Sequence, residues 1–197
     1  MGRCPSRWEC YTWNRSGEPG HIGETEIEIP PGGLTADQHV PSSGSATPTA
    51  WPAIITWANQ VADAIALDQT SQHIAVFVAE PEHGQLRLAA HIRGADHGPG
   101  GVVVGEWTVP MEGSVAGRVA RTGAAVLCAD VSLDPDYRPF PGGRTRSFLM
   151  VPVGEPERVL AVINIEAPWT SAFSIRDLEQ LTARAEAAAA TFPAVAA

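Results

Sequence analysis

GSVAGRVARTGAAVLCADVSLDPDYRPF (residues 113–140), RSFLMVPV (146–153) and VLAVINIEAPWTSAFSIRDLEQL (159–181) follow one another along the chain, and their order decides the fold. The first piece reads as a short glycine-started helix, then a strand through AAVLC, then an Asp-Pro loop. The second and third read as a hairpin, residues 146–153 and 158–166, turning at Gly154-Glu155-Pro156. Ser174 caps a long closing helix, with Asp177 three positions on in the manner of a capping box. Leu178, Leu181 and Ala185 give that helix its core face.

Working outward, Pro52 suits a first helical turn. Ile54, Ile55, Ala58, Val61, Ala62, Ile65 and Ala66 form one apolar stripe on an opening helix that ends near Asp68. HIAVFVAE (73–80) is β-branched and apolar, as a central strand should be. A turn at Pro81-Glu82-His83-Gly84 leads to its partner, residues 86–92. A glycine-rich loop follows, and residues 106–110 make a further strand. Strands joined by hairpins, with helices at the ends of the run, predict an α+β fold: a central antiparallel sheet of about five to six strands with helices packed on it. This domain covers residues 50–193. Residues 1–48, rich in Gly, Pro, Ser and Thr, read as a disordered tail, in which ETEIEIP (24–30) could pair as an edge strand.

Composition excludes several kinds of chemistry. The net charge is −9 with a pI near 5.0, and the 13 cationic residues are all arginines scattered along the chain, so nucleic acid is not an expected partner. With no lysine, Schiff-base and phosphate-loop lysine chemistry are ruled out. Cys4, Cys10 and Cys128 do not make a disulfide framework, and Cys128, flanked by apolar residues, reads as a small buried hydrophobe. Cys4 and Cys10, even with His21 nearby, fall short of a structural zinc set, so no metal or other cofactor is expected. There is no signal-peptide core and no apolar run long enough to cross a bilayer, which points to a cytoplasmic protein without membrane attachment.

The order of elements in residues 107–192 resembles a GAF domain, the small-molecule sensor module of bacterial signalling proteins. The catalytic branch of that family, the free methionine-(R)-sulfoxide reductases, looks similar over the same region but depends on cysteine thiolates. Ala116 stands at one such position, and the loop from Tyr137 to Arg144 carries none. The carboxylates that hold the substrate ammonium in those enzymes correspond here to Phe148, Asn164 and Glu166. The cyclic-nucleotide signature is matched only at Phe173 and Asp177, and His91 offers a single imidazole for a haem. The resemblance therefore implies a non-enzymatic binding domain. Its ligand, an unknown small molecule, would lie between the sheet and the small helices, near Trp107, Asp130, Tyr137, Arg146, Phe148, Asn164 and Glu166. Asn164 and Glu166 are two apart on a strand and so share a face. Because the chain stops at Ala197, the expected output runs through a separate signalling protein or through a homodimer formed by the 51–68 and 174–192 helices. The rival expectations are a reductase-like enzyme with an altered site, and a dimerisation scaffold whose pocket is filled by its own side chains.

Overall fold

A computed structural model of the chain describes residues 10–13, 19–21, 50–66, 73–92, 103–140 and 142–193. The elements are β1 (Cys10–Trp13), β2 (Pro19–His21), α1 (Trp51–Ala66), β3 (His73–Glu80), β4 (Gln85–Ile92), β5 (Thr108–Pro110), α2 (Val115–Thr122), β6 (Ala125–Cys128), β7 (Ser147–Glu155), β8 (Arg158–Ala167) and α3 (Ile175–Ala189). The strands form one sheet in the order β2-β1-β6-β7-β8-β3-β4-β5, and every neighbouring pair is antiparallel. Six strands come from the region expected to form the domain. The other two lie inside the stretch read as a tail: β1 and β2 extend the sheet beyond β6, where an edge strand offers unpaired backbone groups. Residues 24–30, Asp68 and the glycine-rich segment 94–101 lie outside the described residues.

Alternation along the strands splits the molecule into two layers. On one side, Ile74, Val76 and Val78 of β3, Ile163 and Ile165 of β8, and Leu149, Val151 and Val153 of β7 pack under α1 and α3. The apolar stripes of both helices are spent on their own sheet: Ile54, Ala58, Ala62 and Ile65 are buried on α1, and Leu178, Leu181 and Ala185 on α3. The two helices also bond to each other, Trp57 Nε1 donating to Ala188 O (3.1 Å) and Arg184 Nη1 to Ala64 O (2.7 Å). The expected cap is present, with Ser174 N donating to Asp177 Oδ2 at 2.7 Å. On the other side, Ala75, Phe77, Val162, Phe148 and Met150 face α2 and the loop that follows β6.

A β-bulge between Val76 and Phe77 bends this pattern. Val76 stands opposite Ala90 and Phe77 opposite Leu88, so Ala89 is the extra residue. The bulge lets Leu88 and His91, an odd number of residues apart, lie on the same α2-side face as Phe77 and Ala75, which are their partners.

Two glycines explain the spelling of the α2 segment. A Cβ on Gly117 would stand 2.1 Å from Met111 O, so only glycine lets the helix sit this close to the preceding backbone. Gly123 ends the helix at φ 64°, with its N–H donating to Val119 O. Arg118 then ties α2 to the next loop, donating to Asp134 and, at 2.8 Å, to Asp136. One expectation is overturned here: Cys128 is fully buried, but it is disulfide-bonded rather than a free thiol acting as a small hydrophobe.

Candidate ligand site

The α2-side face carries a buried polar cluster in the middle of an apolar surface. Glu166, on β8, is 1% exposed. It accepts from Asn164 Nδ2 (2.9 Å) through Oε1 and lies 2.5 Å from Thr145 Oγ1 through Oε2. Tyr137 Oη approaches Oε1 at 3.5 Å, a long contact. Tyr137 itself lies over Phe148, with ring centroids 5.5 Å apart and planes 11° from parallel. Among the described residues, no arginine bonds to this carboxyl. Burial therefore dominates, and it pushes Glu166 above the usual carboxylate range despite the hydrogen bonds it receives. Burial, with Glu166 close by, likewise raises the Tyr137 phenol. A protonated Glu166 can donate from Oε2 to Thr145, which frees the threonine hydroxyl hydrogen for a further acceptor.

Asn164 is 2% exposed, and its Oδ1 has no hydrogen-bond partner among the described residues. Turning the amide over merely exchanges which end is unpaired. A buried acceptor without a donor costs about 1–3 kcal/mol.

Beside this cluster, His73 is the register partner of Glu166, and His91 that of Ala75. The two imidazoles meet Nε2 to Nε2 at 2.7 Å, so one ring donates and the other accepts at that contact. Phe140 reaches in from the loop and covers both rings, with centroids 4.4 Å from His73 and 5.2 Å from His91. Trp107 stands beyond it at 6.1 Å.

Of the seven residues expected here, Tyr137, Phe148, Asn164 and Glu166 come together, and Trp107 joins them through Phe140. Asp130 and Arg146 do not. Asp130 starts the turn after β6, accepting from Ser132 N (3.0 Å) and Oγ (2.8 Å), and pairs with Arg146 at 3.4 Å on the surface. Arg146 precedes the first residue of β7, at the rim of the sheet, where its charge stays in water. Sequence reasoning missed Thr145, Phe140 and the pairing of His73 with His91. The signal for that pairing was in the hairpin register, hidden by the bulge. Among the described residues, no group of three or more His, Cys, Asp or Glu side chains could hold a metal ion. No described helix is long and apolar enough to cross a membrane.

Residues 56–192 match the family model for the GAF domain. The chain belongs to the GAF domain family. Among solved structures, this GAF domain is similar to a type II free methionine-R-sulfoxide reductase from Thermoplasma acidophilum, with TM-score 0.58 and 19% identity, over 71% of this chain and 92% of that one. It is similar to the free methionine-R-sulfoxide reductase of Neisseria meningitidis, with TM-score 0.58 and 18% identity, over 75% and 92%. It is also similar to the GAF domain of an Acinetobacter phosphoenolpyruvate-protein phosphotransferase, with TM-score 0.54 and 19% identity, over 74% and 82%. At these identities the likeness concerns the fold. A search of curated proteins gives no match. Ala116, where the resemblance to the reductases places a thiol, is a buried residue of α2.

Proposed function

We propose that this GAF domain binds a small molecule on the α2 side of its sheet and passes the event to a partner protein or to its own dimerisation. The reading rests on Asn164, which holds an unpaired acceptor inside the fold, beside a carboxyl whose charged form burial disfavours. A ligand with at least one N–H or O–H would satisfy that acceptor and recover its desolvation cost. Trp107, Tyr137 and Phe140 supply aromatic walls of the kind small-molecule sites use. The seven residues expected from sequence thus divide into a proposed ligand-contacting set of Trp107, Tyr137, Phe148, Asn164 and Glu166, and a rim pair of Asp130 and Arg146.

A scaffold role is the second reading, favoured by Tyr137 lying on Phe148 and Phe140 over the two histidines. Native mass spectrometry of the protein purified from its host separates them. A non-covalent adduct that is lost on denaturation, and absent from Asn164→Leu, is the result expected for a binding domain. A bare mass for wild type at every protein concentration favours the scaffold.

A further inference from the structure

Cys128 is disulfide-bonded, and the chain has two other cysteines, Cys4 and Cys10. In the antiparallel pairing of β1 with β6, Cys10 is the direct Cα partner of Cys128. Direct antiparallel partners have Cα atoms about 4.5–5.5 Å apart and side chains on one side of the sheet, within the span of a disulfide. We propose that Cys10 and Cys128 form a cross-strand disulfide that serves as a redox-cleavable clasp, holding the β1–β2 hairpin on the edge of β6.

The hairpin itself is small. β1 has four residues and β2 three, and so small a two-stranded unit is marginal in water. The clasp also sits at the end of a continuous line across the sheet. Cys10 faces Cys128, Cys128 faces Phe148, Phe148 faces Glu166, and Glu166 faces His73. Cys128 is thus two strands from the buried carboxyl, roughly 10 Å at the usual strand spacing. Its Sγ lies 3.1 Å from Asp130 O. A disulfide sulfur carries no hydrogen, so that approach is a contact and not a hydrogen bond.

Opening the clasp takes two electrons and two protons from a dithiol reductant. One thiolate of the reductant attacks a sulfur of the bridge, the S–S bond breaks and a mixed disulfide forms. The second thiol of the reductant then closes its own disulfide, leaving Cys10 and Cys128 as thiols. A low-molecular-weight disulfide reverses the exchange. In a reducing compartment the bridge is a transient state, and in an oxidising one it persists. Hairpin docking would then follow the thiol poise around the protein.

The first test is a tryptic map of the full chain, alkylated without reduction. Cleavage after arginine puts Cys4 in residues 4–7, Cys10 in 8–15 and Cys128 in a peptide that begins at residue 122. A link between the second and third of these that disappears with dithiothreitol is expected. A Cys128 peptide joined to residues 4–7, or alkylated as a free thiol, overturns the pairing. The second test is amide exchange of the wild type before dithiothreitol, after it, and after reoxidation with glutathione disulfide. Exchange in β6 should rise about tenfold or more on reduction and fall again on reoxidation, as expected for a locally opening unit. Equal protection in all three states overturns the clasp. Cys10→Ser, a change on the strand next to the sheet edge, should reproduce the reduced pattern without any reductant, and oxidised-like protection in that variant counts against the proposal.

Discussion

Strand β3 begins beside one buried carboxyl and ends in another. His73 is the register partner of Glu166, and Glu80 is its last residue. At the Glu80 end, burial works against the charge but loses. Arg87 donates from Nε (2.7 Å) and Nη2 (3.0 Å), Gln85 adds a bond at 2.7 Å, and the net effect holds Glu80 below the usual carboxylate range. Arg87 is itself anchored on Gly105 O (2.9 Å) and lies over the Trp51 ring at 5.8 Å. At the Glu166 end burial outweighs the neutral hydrogen bonds, no described cation bonds to the carboxyl, and the shift is upward. One carboxyl is completed by its own chain and pins the start of α1 to a hairpin. The other has neutral partners and an unpaired amide end next to it. The difference separates a polar group that closes the fold from one that leaves room for something else.

Breaking the completed end should cost most. Arg87→Ala leaves Glu80 buried and charged, and is expected to lower unfolding stability by about 3–5 kcal/mol in urea titrations. A loss near zero would mean that Glu80 is solvated and the two ends are alike. Gly117→Ala comes next, because its Cβ meets Met111 backbone, which cannot swing aside. It should cost about 1–3 kcal/mol, and it should release any adduct seen by native mass spectrometry.

The Glu166 end should reveal itself through pH. Its folded pKa is raised, so the folded state keeps a proton that the unfolded state releases. The stability this contributes is whole below the unfolded value of about 4.5 and declines as pH rises through the folded value, by at most about 1.4 kcal/mol per pH unit. Glu166→Gln should remove that decline while leaving the acid-side loss from Glu80. Identical pH profiles for variant and wild type would show a carboxyl with no shift. The smallest effect is expected for Asn164→Leu, which exchanges one hydrogen bond to Glu166 for the removal of an orphaned acceptor. Unfolding stability should change by less than about 1 kcal/mol, and a much larger loss would mark Asn164 as a structural residue.

The strands were legible because their alternation is strong. The same alternation put Asn164 and Glu166 on one face before any coordinates, and the apolar stripes of α1 and α3 reappear as buried surface. What failed to show in the sequence depends on chain paths without periodicity. Phe140 and Thr145 arrive from an irregular loop that Arg118 positions by its pairs with Asp134 and Asp136. Asp130 and Arg146 look suitable by residue type, but they stand at the rim, where water competes for them. β1 carries too short a pattern to stand out from the composition around it, and Cys128 looked solitary because its partner strand was not recognised.

The extra residue at Ala89 has a consequence for the histidine pair. Hairpins change length by single insertions and deletions, and in a strand each such step reverses which side everything beyond it points to. The bulge absorbs that step: removing Ala89 would restore regular pairing with Leu88 and His91 two residues apart, and His91 would stay opposite Ala75, beside His73. By setting both Ala89 and Ala90 on the helix-covered side, the bulge lets a strand with one residue more than its partner still bring the two imidazoles together.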